Sequence, residues 1–161
     1  MDVSKILVVV CLLIFAGLLW WQEQAGLDEW SGVPKVVDGD SLILNNERVR
    51  LLGIDAPEGR QYCEKQGKKW ACGRAATTAL RRLIGRQNVA CRGSEFDKHD
   101  RLLGVCTVGD VEINRFMVRE GWAVSFGGRY KSIERDARSA KKGLWQGTFE
   151  MPRDWRARNF R

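Results

Sequence analysis

Three carboxylates and an arginine stand close together in this chain: Asp40 in Val37-Asp38-Gly39-Asp40-Ser41, then Arg50, Asp55 and Glu58 in Arg50-Leu51-Leu52-Gly53-Ile54-Asp55-Ala56-Pro57-Glu58. Asp40 and Asp55 offer the hard oxygen ligands that suit a cation such as calcium. Glu58, set by Pro57 in a stiff turn, is placed to hold or deprotonate a water beside that cation. Arg50 brings a guanidinium fork that matches a phosphate in two-point contact. This is the inventory for calcium-assisted attack on a phosphodiester, and one more arginine would complete it.

Arg101 supplies it, at the end of Glu95-Phe96-Asp97-Lys98-His99-Asp100-Arg101, a polar loop between two apolar segments. In this order and spacing the five residues make the stretch from about Val33 to about Trp145 resemble the staphylococcal nuclease (thermonuclease) family. The resemblance implies hydrolysis of DNA and RNA, with Asp40 and Asp55 as Ca2+ ligands and the Ala56 carbonyl as a third. It further implies Glu58 as the catalytic carboxylate, Arg50 and Arg101 as the grip on the phosphate, and a 3′-phosphate product. Lys98, His99 and Tyr130 are the candidate substrate contacts. The family usually carries Tyr-Gly before the second arginine, where this chain has His99-Asp100. Asp100 is therefore expected to pair with Arg101 in the empty site and to weaken the nucleotide contact.

Each residue alone has a plainer reading. Asp38-Gly39-Asp40 is also a favoured hairpin connection. Arg50 and Asp55 alone would be a solvated strand edge, and residues 97–101 a charged loop. A rival function from another class is a membrane-tethered module that binds nucleic acid without cutting it. Such a module gains nothing from Asp40, Asp55 and Glu58, and their retention favours the enzyme.

The elements that must position these residues follow from pattern. Val33 to Val37, Ser41 to Leu44 and Arg48 to Ile54 read as strands, the last two joined at Asn45-Asn46. Gly59 to Cys72 reads as loop. Ala76, Leu80, Leu83 and Ile84 fall at helical spacing before Gly85. Strands at Asn88 to Gly93 and Leu102 to Val108 follow, then helices near Ile113 to Glu120 and Ser132 to Lys142. Three strands, a helix and two strands predict an α+β fold built on a five-stranded OB-type barrel with about three helices. The nuclease-like domain is expected over residues 32–148, with a basic tail, strapped down or frayed, over 149–161.

The net charge of +7 understates this domain, because the first 31 residues hold one lysine against four acidic side chains, a local −3 that leaves +10 for the rest. That balance suits a polyanionic partner, nucleic acid above all. Ile6 to Trp21 is an uninterrupted apolar run, slightly short of the roughly 20 residues that span a bilayer comfortably. The Trp20-Trp21 doublet and the lack of a small-residue cleavage pair favour an uncleaved anchor over residues 1–21, with a signal peptide and secretion as the alternative. Lys5 before the run and Glu23, Asp28 and Glu29 after it orient the domain outward, past a polar linker over 22–31. Cys63, Cys72, Cys91 and Cys106 remain once Cys11 is assigned to the membrane run. An even number in a small exported domain argues for two disulfides, and among three connectivities 63–72 with 91–106 fits the strand positions. No protein partner is evident, and a monomer is expected.

Overall fold

Alternation of buried residues builds the sheet that carries the site. In β3 (Ser41–Leu44) and β4 (Glu47–Leu51) the buried Leu42, Leu44, Val49 and Leu51 occupy alternate positions, as one core-facing side of a strand pair requires. Asn45 and Asn46, at φ 49° and 69°, make the left-handed two-residue turn that such a hairpin favours. The same alternation recurs in β8 (Val89–Gly93) and β9 (Leu102–Val108), which pair antiparallel with Cys91 opposite Cys106.

The structure is a computed structural model that describes residues 9–17 and 28–159. β2 (Lys35–Val36) pairs with β3, and β9 lies parallel to β4, with Arg50 opposite Leu103. β1 (Asp28–Gly32) runs along the outer side of β8, and β10 (Val111–Glu112) pairs with β9. The strand order β1-β8-β9-β4-β3-β2 leaves β1 and β2 at the two ends of the path. The fold is thus mixed α+β with the expected order of elements, while these ladders draw an open sheet where a closed barrel was expected. Residues 28–31, expected to be linker, belong to a strand instead, because β8 has an edge free to accept them.

Five helices are present among the described residues: α1 (residues 9–17), α2 (Cys72–Ile84), α3 (Ile113–Arg119), α4 (Lys131–Ser139) and α5 (Pro152–Asn159). α2 buries Ala76, Leu80 and Ile84 at four-residue intervals in the core of the sheet, sets Cys72 one interval earlier into a separate cluster with Cys63 and Leu144, and stops at Gly85, where φ is 59°. α3 sets Ile113, Met117 and Val118 into the same core. Its Asn114, fully buried, donates to the carbonyls of Leu52 and Gly104 at 2.9 and 3.0 Å and accepts from the Cys106 amide at 3.0 Å. One side chain thereby ties α3 to both partners of the parallel pair.

Two segments differ from the expected outline. The loop before α2 contains a hairpin, β6 (Cys63–Lys65) and β7 (Lys68–Trp70), turned at Gln66 and Gly67 with φ 52° and 73°. The C-terminal tail is a helix, begun by Pro152 with Asp154 in its first turn and ended by Arg156 and Arg158, the arrangement that favours a helix at both ends. Both expected disulfides are formed, Cys63–Cys72 and Cys91–Cys106. The expected membrane run extends outside the described residues. No helix among them is long and apolar enough to cross a membrane.

Candidate active site

The β2–β3 connection delivers Asp40. Asp38-Gly39-Asp40 is no two-residue hairpin: the chain closes from the Val37 amide to the Ser41 carbonyl at 3.0 Å. Gly39 is there for close approach, since a Cβ on it would stand 2.7 Å from the Cβ of Ala56. Asp40 is 3% exposed, and its Oδ2 accepts the Ala56 amide at 2.9 Å, which locks this loop to the segment after β5 (Ile54–Asp55). β5 pairs with β11 (Val124–Ser125), and its last residue is the equally buried Asp55.

Arg50, on β4, joins the two carboxylates. Its Nη1 donates to Asp40 at 3.0 Å and its Nη2 to Asp55 at 2.9 Å. Burial pushes the Asp40 carboxyl up to about 7 even though Arg50 opposes the shift. Glu58 lies beyond Pro57 and is held by Gln61, a fully buried glutamine. The Gln61 side chain accepts from the Glu58 amide at 3.3 Å and donates to the Glu150 carbonyl at 2.7 Å, and its amide donates to the Glu58 carbonyl at 2.7 Å.

Arg101 reaches the same cleft from the β8–β9 loop. Its partner is Asp97, whose Oδ2 takes Nε at 2.8 Å and Nη2 at 2.6 Å. Asp97 Oδ1 accepts the amides of His99 and Arg101 at 2.9 and 3.2 Å. Burial works against this carboxylate, but the Arg101 side chain, the two amides and the Arg101 charge outweigh it and hold Asp97 down at about 2. The expected Asp100–Arg101 pair is therefore corrected. Asp100 occupies a turn at φ 54°, where its backbone completes the loop, and Asp97 takes the guanidinium.

Arg50, Glu58, Lys98, His99 and Arg101 line one cleft of about 740 Å³, with Arg48, Arg153 and Arg156 adding cationic wall. Arg48 donates to the His99 carbonyl and so fastens the loop to β4. Tyr130 is not brought there. It is 5% exposed, and its hydroxyl donates to Glu112 at 2.6 Å, so burial together with that carboxylate pushes its ionisation up to about 12.

Arg156 is the site residue that sequence reasoning missed. From α5 its Nη1 reaches Asp55 Oδ1 at 2.9 Å and Glu58 Oε1 at 3.0 Å, and its Nη2 reaches Asp55 Oδ2 at 3.1 Å. Burial disfavours its charge, yet Asp55 and then Glu58 more than compensate and raise its pKa. The only signal in the sequence was the basic, Trp-containing tail.

A hard divalent cation fits the donor chemistry of Asp40 and Asp55, two buried carboxylates already drawn together by positive charge. No group of three or more His, Cys, Asp or Glu residues poised for a metal occurs among the described residues. Asp40 and Asp55 are the side chains that would hold such an ion.

Known proteins are similar to this chain in sequence. A family profile described as "Staphylococcal nuclease homologue" matches residues 48–147, the span that holds Arg50, Asp55, Glu58 and Arg101. A micrococcal nuclease of Shigella flexneri is 33% identical over 145 residues, which cover 77% of this chain and 78% of that protein. An uncharacterized endonuclease of Escherichia coli O157:H7 is 31% identical over 131 residues, 74% of this chain and 79% of that one. Succinoglycan biosynthesis protein ExoI of Rhizobium meliloti (strain 1021) is 29% identical over 140 residues, 83% of this chain and 73% of its own. With most of the domain matched, and with Arg50, Glu58 and Arg101 lining one cleft beside the buried Asp40 and Asp55, the chain belongs to the staphylococcal nuclease family.

Proposed function

We propose that the protein is a calcium-dependent nuclease that hydrolyses phosphodiester bonds of DNA or RNA with little sequence specificity. The observation that carries this reading is the convergence of Arg50, Glu58 and Arg101 on one cleft, above the buried pair Asp40 and Asp55. Nuclease relatives of similar length support it.

A phosphodiester enters between Arg50 and Arg101, whose guanidinium groups meet the charge that grows on the phosphoryl oxygens. Asp40, Asp55 and the Ala56 carbonyl would hold calcium, which would supply positive charge to the reacting phosphate. Glu58 orients the attacking water and takes its proton as the water oxygen bonds to phosphorus, and the P–O5′ bond breaks, the departing 5′ oxygen taking a proton from solvent. Asp97 holds Arg101 in place before substrate arrives, so little reorganisation remains for the reaction itself. Affinity comes from the cationic wall of Arg48, Lys98 and Arg153, which reads phosphate and not base.

The site of action we propose is extracytoplasmic, from a chain anchored by its N-terminal apolar run. Two disulfides support an oxidising compartment. One feature favours a second reading, a binding module without turnover: Arg101 and Glu58 are both engaged by other side chains. Digestion of labelled DNA and RNA with calcium, with magnesium and with a chelator separates the two. Cleavage in calcium that leaves a 3′-phosphate is expected. Retention without cleavage in calcium would make it the binding module, and equal cleavage in chelator would end the calcium assignment.

A further inference from the structure

Arg156 lies beyond residues 48–147, the span matched by the family profile. Its guanidinium nevertheless occupies both carboxylate oxygens of Asp55 and one of Glu58. Arg50 already takes Asp55 Oδ1, so no oxygen of this 2%-exposed carboxylate is without a guanidinium donor. A calcium ion ligated by Asp55 would sit about 2.3–2.6 Å from one of those oxygens. The Arg156 nitrogens stand 2.9 and 3.1 Å from the same atoms. Cations held to the same oxygens of a buried carboxylate repel one another, and Arg156 takes both Asp55 oxygens where Arg50 takes one. The bond to Glu58 has a second consequence, because it occupies one of the two oxygens able to receive a proton from water.

We propose that Arg156 is the resident counter-cation of the active site, competing with the divalent metal for Asp55 and Glu58, so that metal binding requires its release. The proposal rests on the calcium reading above. The geometry allows such an exchange. α5 is tied down at its start, with the Asp154 and Trp155 amides on the Met151 carbonyl and Gln61 on Glu150, whereas the Arg156 side chain is 29% exposed where it faces the cleft. Release needs only the side chain to swing. A site filled by its own arginine most of the time has an apparent metal affinity lowered by the fraction of time it is open.

The test is a calcium titration by calorimetry on the whole protein and on Arg156→Gln, in which Arg50 still balances Asp55. Calcium should bind about tenfold more tightly or better to the variant. The rise in Tm on adding calcium should also be larger in the variant than in the native protein. Arg156→Lys keeps the charge but cannot span both carboxylates, so its affinity should fall between the two. It also carries the test if Arg156→Gln does not fold, since tighter binding than the native protein is still expected. Equal or weaker calcium affinity in the variants overturns the competition while the calcium reading stands. No calcium binding by any of the proteins overturns the calcium reading, and the competition with it.

Discussion

Gly73 and Glu58 are in backbone contact, and a Cβ built on Gly73 would lie 1.7 Å from the Glu58 carbonyl oxygen. The next atoms it would meet, the Glu58 carbonyl carbon at 2.6 Å and the Gly59 Cα at 3.2 Å, are backbone too and cannot rotate away. The first turn of α2 is thus the seat of the loop that carries Glu58. Gly73→Ala should displace Glu58 and lower kcat by about 10²-fold, the scale expected of a misplacement near 1 Å. Stability should fall by about 1–3 kcal/mol from overpacking. Steady-state kinetics beside a thermal melt checks both, and an unchanged kcat would detach the α2 seat from catalysis.

Glu58→Gln should leave the fold and the binding of a non-hydrolysed dinucleotide nearly intact while lowering turnover by about 10² or more, as loss of a positioned base does. Arg101→Ala should lose activity on a similar scale, because one of two guanidinium partners of the transition state is gone. Should only KM change for Arg101→Ala, its role would be docking.

Asp97 gives the protein a measurable acid limit. Its folded pKa, about 2, lies below the ordinary carboxylate value of 3.8, so its contribution to stability is fully present above about 4 and is lost as pH falls through about 2. Urea melts between pH 5 and pH 2 should show this loss in the native protein. Asp97→Asn should flatten that part of the profile and, by releasing Arg101, lower activity at neutral pH. An unchanged profile would place the acid sensitivity elsewhere.

Reduction of Cys91–Cys106, which closes a separation of 15 residues, should cost about 2–4 kcal/mol. The site stands apart from this bridge, so activity at low temperature should persist. Cys91→Ala with Cys106→Ala, followed by denaturation and a digestion assay, tests both halves. Loss of activity in a folded double variant would contradict the second.

Strands and helices with a buried side were legible because one period governs each: β3, β4, β8, β9 and α2 all lie within a residue or two of where alternation or helical spacing puts them, apart from the early end of the β4 reading. The five residues read as a site lie on or beside those elements, so their common neighbourhood could be read from spacing, while their roles came from the family resemblance. The β6–β7 hairpin was not legible, since Glu64, Lys65, Lys68 and Lys69 are exposed and leave no apolar pattern. Asp97 was hidden by its neighbour: sequence proximity favours Asp100, but the backbone turns at Asp100 and aims Asp97 at the guanidinium. Arg156 was hidden by distance along the chain, because what brings it to Asp55 is the packing of α5 and no local spacing records that.

Asn114 also acts as a register check on the centre of the sheet. Sliding β9 against β4 by one residue would move the Gly104 carbonyl and the Cys106 amide away from Leu52, and the buried amide of Asn114 would lose partners that no water replaces. A misaligned parallel pair is therefore penalised where β4 ends beside Gly104 of β9. The spacing between Arg50 and the loop that ends at Arg101, on which the width of the cleft depends, is fixed by a residue that touches neither.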